Sequence, residues 1–447
     1  MRKTLWTVAC VSISLLFSGS LPGAARTAAA DEAAKPGAAA MLSPARAFVR
    51  LWDKPSAFGK IAFASVDGPT LYLAGLPRGL EAVQVGTGLT QWMHAGVLPA
   101  DFPPVERGKV LYLVEGGRLV TLNPEDGAEL GRVKPRFSFF TPAYPAEGYC
   151  VFASGDQYVY AVLNETGART WRGATDGQPT ASTWNGDTVL YFTTSRGMVY
   201  CVNMQEMEIT WNYQFPRQSC SGPALAGDTL YVGSSDYYLY AINALIGDLQ
   251  WKLSLSAPVL DTPVIVGSRL YVATTEHLIH AVDLNTQKDL WTIPGDRLLT
   301  TTPEHLIFLR REKGINIIGM ADAATGKVIS EMAAGQYVLF AAPTVGGIFY
   351  AVGQGGDVLA MGDRAAVEAA EAAKAAARRA APAAPVTAPS AAPTAPAEAP
   401  AVTPTTAPEA AAPAEAPTAP AEAPATAPTA PAEAPAAAPT APVEAPH

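Results

Sequence analysis

Residues that usually carry chemistry are scarce in this chain. Its 447 residues include only 4 cysteines and 5 histidines, and charged residues make up 16%. Cys10 falls in the N-terminal export segment described below, which leaves Cys150, Cys201 and Cys220. An odd, scattered set of three supports neither a disulfide framework nor a metal-binding or redox C-x-x-C pair. Cys201 takes the place of a small alanine (compare Ala161, Ala241 and Ala281) and reads as a small buried hydrophobe. A bridge from Cys201 to Cys220 is disfavoured by their expected radial separation. No H-E-x-x-H, no G-x-S-x-G elbow and no phosphate loop occurs. His277 and His280 look like a ligand pair, but on a strand a separation of three points them to opposite faces. His280 also occupies a slot filled elsewhere by Tyr160, Tyr200 and Tyr240, which makes it a packing residue. The run GQGGD from Gly353 to Asp357 sits between two strands as a hairpin turn. After the N-terminal segment, no apolar run is long enough to cross a bilayer.

What is present is a rhythm. Trp171, Trp211, Trp251 and Trp291 are each 40 residues apart, as are Trp52 and Trp92. The gap from Trp92 to Trp171 is 79, with Gly131 in the vacant slot, and a further vacancy falls near Ser330. Roughly 20 residues before each slot lies a β-rich triplet, such as LYL at Leu71 and Leu111, or LYV at Leu230 and Leu270. A second strand follows (VYAV from Val159, LYAI from Leu239), then a turn rich in Asn, Asp and Gly, then the strand carrying the tryptophan. A fourth strand is expected at a recurrent proline: Pro104, Pro223, Pro263, Pro303 and Pro343 share one phase. Four short strands per 40 residues predict an all-β, eight-bladed β-propeller of four-stranded antiparallel blades over residues 45–362. The last triplet has no tryptophan after it, and Trp52 has no complete unit before it. The N-terminal segment is therefore expected to supply the outer strand of the last blade and close the ring.

The stretch LYAINALIGDLQW, from Leu239 to Trp251, resembles the pyrroloquinoline-quinone-like (PQQ-like) repeat, and the segments ending at Trp171 and Trp291 fit it as well. That resemblance implies that Trp52, Trp92, Trp171, Trp211, Trp251 and Trp291 dock against neighbouring blades as structural residues. It also implies two functional branches. One is the quinoprotein dehydrogenases, which use PQQ and calcium. The other is non-enzymatic, typified by BamB, the propeller lipoprotein of the outer-membrane β-barrel assembly machine. The adjacent cysteines of the first branch are absent here, and its calcium-binding and catalytic acids have no matching motif. No catalytic, cofactor or metal residue is assigned. The alternative readings are a PQQ-dependent oxidoreductase and a small-ligand sensor using the axial channel.

The two ends set the context. Arg2, Lys3, an apolar run to Phe17 and Ala28-Ala29-Ala30 read as a signal peptide over residues 1–30, cleaved after Ala30 or Ala25. The residues before Cys10 make a poor lipobox, unlike those of a lipid-anchored protein. A linker over 31–44 precedes the propeller, an Ala-rich helical segment without an apolar stripe is expected over 363–381, and a disordered Pro/Ala/Thr/Glu tail over 382–447. That tail carries much of the net charge of −9, which argues against a nucleic-acid partner. The expectation is an exported, monomeric, non-catalytic propeller in the periplasm or cell envelope, or secreted, binding protein or envelope polymer through its loop faces. Weak surface candidates are the charged hairpin residues Arg310, Arg311 and Lys313. Trp184 and His305, expected on the strand nearest the axis, are candidates for the channel mouth.

Overall fold

The structure, a computed structural model, describes residues 47–217, 220–259 and 261–380, the last seven without their side chains. The regions expected as signal peptide, linker and tail lie outside them. Among the described residues, eight four-stranded antiparallel sheets form the blades of a propeller. The chain enters through β1 (Phe48–Pro55). Blade 1 holds β2 (Ile61–Asp67), β3 (Thr70–Gly75), β4 (Leu80–Gln84) and β5 (Thr90–His94). Blade 2 holds β6 (Val105–Arg107), β7 (Val110–Glu115), β8 (Arg118–Leu122) and β9 (Glu129–Val133). Blade 3 holds β10 (Tyr144–Pro145), β11 (Tyr149–Ser154), β12 (Tyr158–Leu163) and β13 (Arg169–Ala174). Blade 4 holds β14 (Pro179–Trp184), β15 (Val189–Thr194), β16 (Met198–Asn203) and β17 (Glu208–Gln214). Blade 5 holds β18 (Ala224–Ala226), β19 (Thr229–Gly233), β20 (Tyr238–Asn243) and β21 (Leu249–Ser254). Blade 6 holds β22 (Val264–Val266), β23 (Arg269–Ala273), β24 (Leu278–Asp283) and β25 (Lys288–Pro294). Blade 7 holds β26 (Arg297–Thr301), β27 (His305–Glu312), β28 (Ile315–Asp322) and β29 (Val328–Ala333). Blade 8 holds β30 (Tyr337–Ala341), β31 (Ile348–Gly353) and β32 (Asp357–Asp363), and helix α1 (Arg364–Ala380) follows.

The fourth strand of blade 8 is β1, paired antiparallel with β32 from Phe48↔Asp363 to Pro55↔Asp357. The ring thus closes by non-covalent pairing of the first strand with the last, which leaves no open sheet edge at the seam. Burial explains the sequence pattern. The second and third strands of each blade are covered on both faces by neighbouring blades, so they read as continuous apolar runs, as in β7 and β12. Outer strands face solvent on one side and alternate, as in β13 and β21.

The repeated tryptophan sits on the outer strand opposite a small residue of the third strand: Ala82↔Trp92, Ala161↔Trp171, Cys201↔Trp211, Ala241↔Trp251, Ala281↔Trp291 and Ala360↔Trp52. Its ring lies beside the tyrosine of its own blade's triplet, as in Trp211 with Tyr191 at 5.9 Å. The indole N–H of Trp52, Trp92, Trp211 and Trp291 donates to a carbonyl in the next blade's turn, at Val85 (2.8 Å), Pro124 (2.7 Å), Ala244 (3.0 Å) and Ala324 (3.1 Å). The glycine of that turn permits the approach. At Gly247, φ is +81° and an added Cβ would stand 2.7 Å from the Trp211 ring. Gly88, Gly127 and Gly326 hold the same position against Trp52, Trp92 and Trp291. Opposite Trp171 and Trp251 the turn carries Met207 and Gln287 at positive φ instead, and no such bond forms among the described residues.

Both vacancies have a physical account. Gly131 pairs with Thr121, and Ser330 pairs with Met320, so the third-strand residue is larger where the indole is missing. Ser330 would dock on the turn between the third and fourth strands of blade 8. That turn does not exist, because the fourth strand is β1.

Three expectations need correction. The recurrent proline does not mark one strand throughout. Pro104, Pro223 and Pro263 directly precede the innermost strands β6, β18 and β22, whereas Pro303 and Pro343 lie in turns that follow the innermost strands β26 and β30. Blade 7 begins only two residues after β25 ends, so its first strand is complete before the proline phase is reached. His277 is not on a strand but at a turn, with φ +62°. Finally, α1 is not free of apolar docking: Val367 is 1% exposed. Asp363 caps the helix, its carboxylate accepting from the Ala365 amide at 3.4 Å.

Candidate functional site: the upper propeller face

Antiparallel connectivity sorts the loops onto two faces. Turns between second and third strands share the upper face with the connections between blades. Turns between first and second, and third and fourth, strands share the lower face. Phe48 and α1 both sit at the lower end of β1 and β32, because Phe48 pairs with Asp363. The chain therefore enters and leaves the described propeller on the lower face.

Two cavities open on the upper face. The first, about 450 Å³, lies at the axis and takes its walls from inner strands of blades 1, 7 and 8 and from upper loops. Phe63, Leu309, Val338, Leu339 and Phe340 give it an apolar lining; Asp261, His277, Asp296, Arg297 and Arg311 give it charge. The Asp296 carboxylate pairs with His277 Nδ1 and accepts the Arg311 amide at 2.5 Å. Arg297 donates from Nη2 to the Phe340 carbonyl at 3.1 Å. Burial lowers the Arg297 guanidinium from its ordinary value, and the charge of Asp261 opposes that shift. Burial raises the Asp261 carboxyl, Arg297 pulls it back down, and Asp296 raises it further. Each group thus offsets part of the other's desolvation. Such a mixed site suits binding by charge and shape. The second cavity, about 550 Å³, lies over blades 2 and 3, lined by Phe102, Phe137, Phe139, Lys134 and Arg136 among others.

The sequence-derived candidates divide. Of the charged hairpin, Arg311 lines the axial cavity. Arg310 is held by a two-pronged pair with Glu331 at 2.7 and 2.9 Å and by Glu312 at 2.6 Å. Lys313 and Gly314 form the hairpin turn, with φ +52° and +81°. Trp184 and His305 do not line the channel mouth, contrary to the sequence reading. Trp184 ends the innermost strand β14 but is 6% exposed, packed between blades against Tyr144 at 6.1 Å, with Arg107 over its ring at 5.9 Å. His305 begins the second strand of blade 7 on the lower side and pairs with Asp363 at 2.9 Å. His280 is buried; its Nδ1 meets Asp289 at 2.6 Å and its Nε2 meets the Ser256 hydroxyl at 3.2 Å. Cys150, Cys201 and Cys220 are free and buried.

The axial residues Asp261, Asp296 and Arg297 were not legible as a site. They fall in connections of ordinary turn composition, and only ring closure gathers them. The enzymatic branch of the resemblance implies PQQ with calcium, and calcium takes six to eight oxygen ligands. Among the described residues no group of three or more His, Cys, Asp or Glu is placed to hold a metal ion. In the axial cavity the Asp296 carboxylate is already engaged and the charge of Arg297 acts on Asp261, so these residues do not fit that pair.

The architecture defines a closed eight-bladed β-propeller with binding space on one face. A family profile described as "Outer membrane protein assembly factor BamB" matches residues 77–219 and again 155–297, offset by about two blades. The propeller is consistent with the PQQ-like repeat β-propeller family. Among solved structures, it is similar to BamB from Moraxella catarrhalis at 14% identity and a TM-score of 0.57, covering 71% of this chain and 98% of that one. It is equally similar to the computationally designed Ika8 protein, at 12% identity and a TM-score of 0.58, covering 70% and 99%. At these identities the likeness speaks for the fold. A search of curated proteins finds no match.

Proposed function

We propose that this protein is an exported, non-catalytic scaffold that binds protein or envelope polymer through its upper face, in the manner of a BamB-like assembly factor. The observation that carries the reading is directional: two cavities open on the upper face, opposite the lower face where both described chain ends lie. A propeller held by its ends presents that upper face outward. The family match supports a scaffold role. Export rests on the signal-like N-terminal sequence, and the periplasm or cell envelope is the compartment that fits it. No described helix is long and apolar enough to cross a membrane. Affinity capture from envelope extracts with the full chain tests the reading. Specific recovery of envelope proteins supports it, and recovery of nothing above background refutes it. The axial cavity supports a second reading, a small-ligand sensor. Arg297→Met should then abolish ligand-induced thermal shifts in a screen of small organic ions, and an absence of any shift from the unaltered protein would end that reading.

A further inference from the structure

The second upper cavity stands out for its charge. The chain carries a formal net charge of −9, yet the rim of this groove is basic. Lys134 and Arg136 lie in the connection between β9 and β10 and are exposed. Outside the lining, Arg118 follows the Gly116-Gly117 turn, and Arg169, at the lower end of β13, reaches over the Phe137 ring at 5.9 Å. None of these four cations forms an ion pair among the described residues. Several arginines elsewhere are engaged, Arg132 with Glu115 at 2.6 Å, Arg196 with Asp176 at 2.9 Å, and Arg310 with Glu331. The lining itself sets two cations, Lys134 and Arg136, against one carboxylate, Asp101. Asp101 accepts the Gly117 amide at 2.8 Å, and Asp156 accepts the Tyr160 hydroxyl at 2.6 Å.

The groove is also aromatic. Phe137 stacks on Tyr160 with centroids 3.9 Å apart, and Phe139 packs on Phe152 at 4.0 Å. Gly117, at φ +69° with open space beside it, leaves one point of the edge that another backbone can approach closely, whereas Leu98 covers the neighbouring Gly116. We propose that this groove binds an acidic peptide segment in extended conformation. An aromatic or branched apolar side chain of the segment rests against Phe102 and Phe137, and its carboxylates meet Lys134 and Arg136. Unpaired cations beside an aromatic wall favour this chemistry twice, through charge and through stacked apolar contact. A recessed groove suits a single extended chain better than the flat surface of a bilayer. The proposal rests on the protein-binding reading above and locates it.

The test uses the full chain and a fluorescein-labelled acidic peptide, Glu-Asp-Gly-Phe-Glu-Asp, followed by fluorescence anisotropy. Saturable, salt-sensitive binding is expected. The double variant Lys134→Glu/Arg136→Glu should weaken it by about ten-fold or more, since both substitutions reverse charges at the contact. Lys288→Glu/Lys327→Glu changes the net charge equally at the start of the outer strand of blade 6 and just before that of blade 7, and should leave binding unchanged. The proposal is overturned by an absence of saturable binding or by equal losses in the two double variants. It is also overturned if phosphatidylglycerol vesicles, and not the peptide, bind in a manner dependent on Lys134 and Arg136. Repeating the capture from envelope extracts separates the two readings. If the unaltered chain and the groove variant recover the same partners, the scaffold role stands and this site falls. If the unaltered chain recovers none, the scaffold role falls, and anisotropy alone decides the groove.

Discussion

One buried carboxylate anchors the ring-closing strand β1 to blade 1, and its removal should loosen that strand. Glu81 lies on β4, fully buried, in the slot that holds Tyr160, Tyr200, Tyr240 and His280 in other blades. It accepts from Lys54 Nζ at 2.5 Å, the Ala57 amide at 2.9 Å, Ser56 Oγ at 3.1 Å and Thr90 Oγ1 at 2.7 Å. Lys54 belongs to β1, and Ser56 and Ala57 follow it, so the carboxylate ties the closing strand of blade 8 to blade 1. Glu81→Ala would leave the lysine and three other donors without their acceptor. Breaking one side of a buried pair costs about 3–5 kcal/mol. The lysine side chain is 18% exposed and can partly turn to water, which places the effect near 3 kcal/mol. Urea unfolding at neutral pH should show that loss, and hydrogen exchange should speed more in β1 than in blade 4. Lys54→Met/Glu81→Leu should regain part of the loss, because no charge is then stranded.

The same contact predicts a pH dependence. Burial alone would raise the Glu81 carboxyl. The hydrogen bonds from Lys54, Thr90 and the Ala57 amide, with the lysine's charge, outweigh burial and hold it below its ordinary value of 4.5. Its stabilisation is therefore complete above 4.5 and disappears as pH falls through the lowered folded value. Glu81→Ala should remove that acid-side slope. A cost below about 1 kcal/mol, or unchanged exchange in β1, would refute the assignment of the seam to this residue.

Other predictions concern the docking turns and the surface. Gly247→Ala places a Cβ against Trp211 at φ +81° and should destabilise by at least about 1–2 kcal/mol in thermal or urea unfolding. Gln287→Gly relieves a positive φ of +59° and should stabilise by about 1 kcal/mol; a loss instead would show that the turn opposite Trp251 is not strained. Asp363→Ala removes the α1 cap and the His305 partner and should cost about 1 kcal/mol, with faster amide exchange early in the helix. Arg310→Ala breaks a half-exposed network and should shift stability by only about 0.5 kcal/mol; a loss above 2 kcal/mol would contradict its surface role.

Residues whose role repeats were legible in the sequence. The spacing of Trp211, Trp251 and Trp291 gave the blade, and the odd position of Trp52 gave the latch, because each repeat meets the same environment. Cys201 was readable as a small buried residue because it replaces an alanine, and it stands opposite Trp211. Departures from the repeat were harder. Trp184 looked like a channel residue because the phase put it on an inner strand, but that phase does not say which way the ring turns; it turns between blades toward Tyr144. Pro303 was read as the start of a strand, yet the inner strand had slid ahead of it.

The sequence by itself determined the blade, the number of blades and the strand that closes them. All three follow from a period, and a period survives without knowledge of distance. Only the tertiary structure decided what the upper face offers. Asp261, Arg297 and Phe340 belong to different blades or their connections, and Phe102, Gly117 and Lys134 come from separate loops. Their meeting depends on bending eight units into a circle, which brings together residues that share no local pattern. The tertiary structure also decided why two tryptophan slots are empty: a larger Thr121 or Met320 fills the space, and the turn that Ser330 would have met is replaced by the seam of the ring.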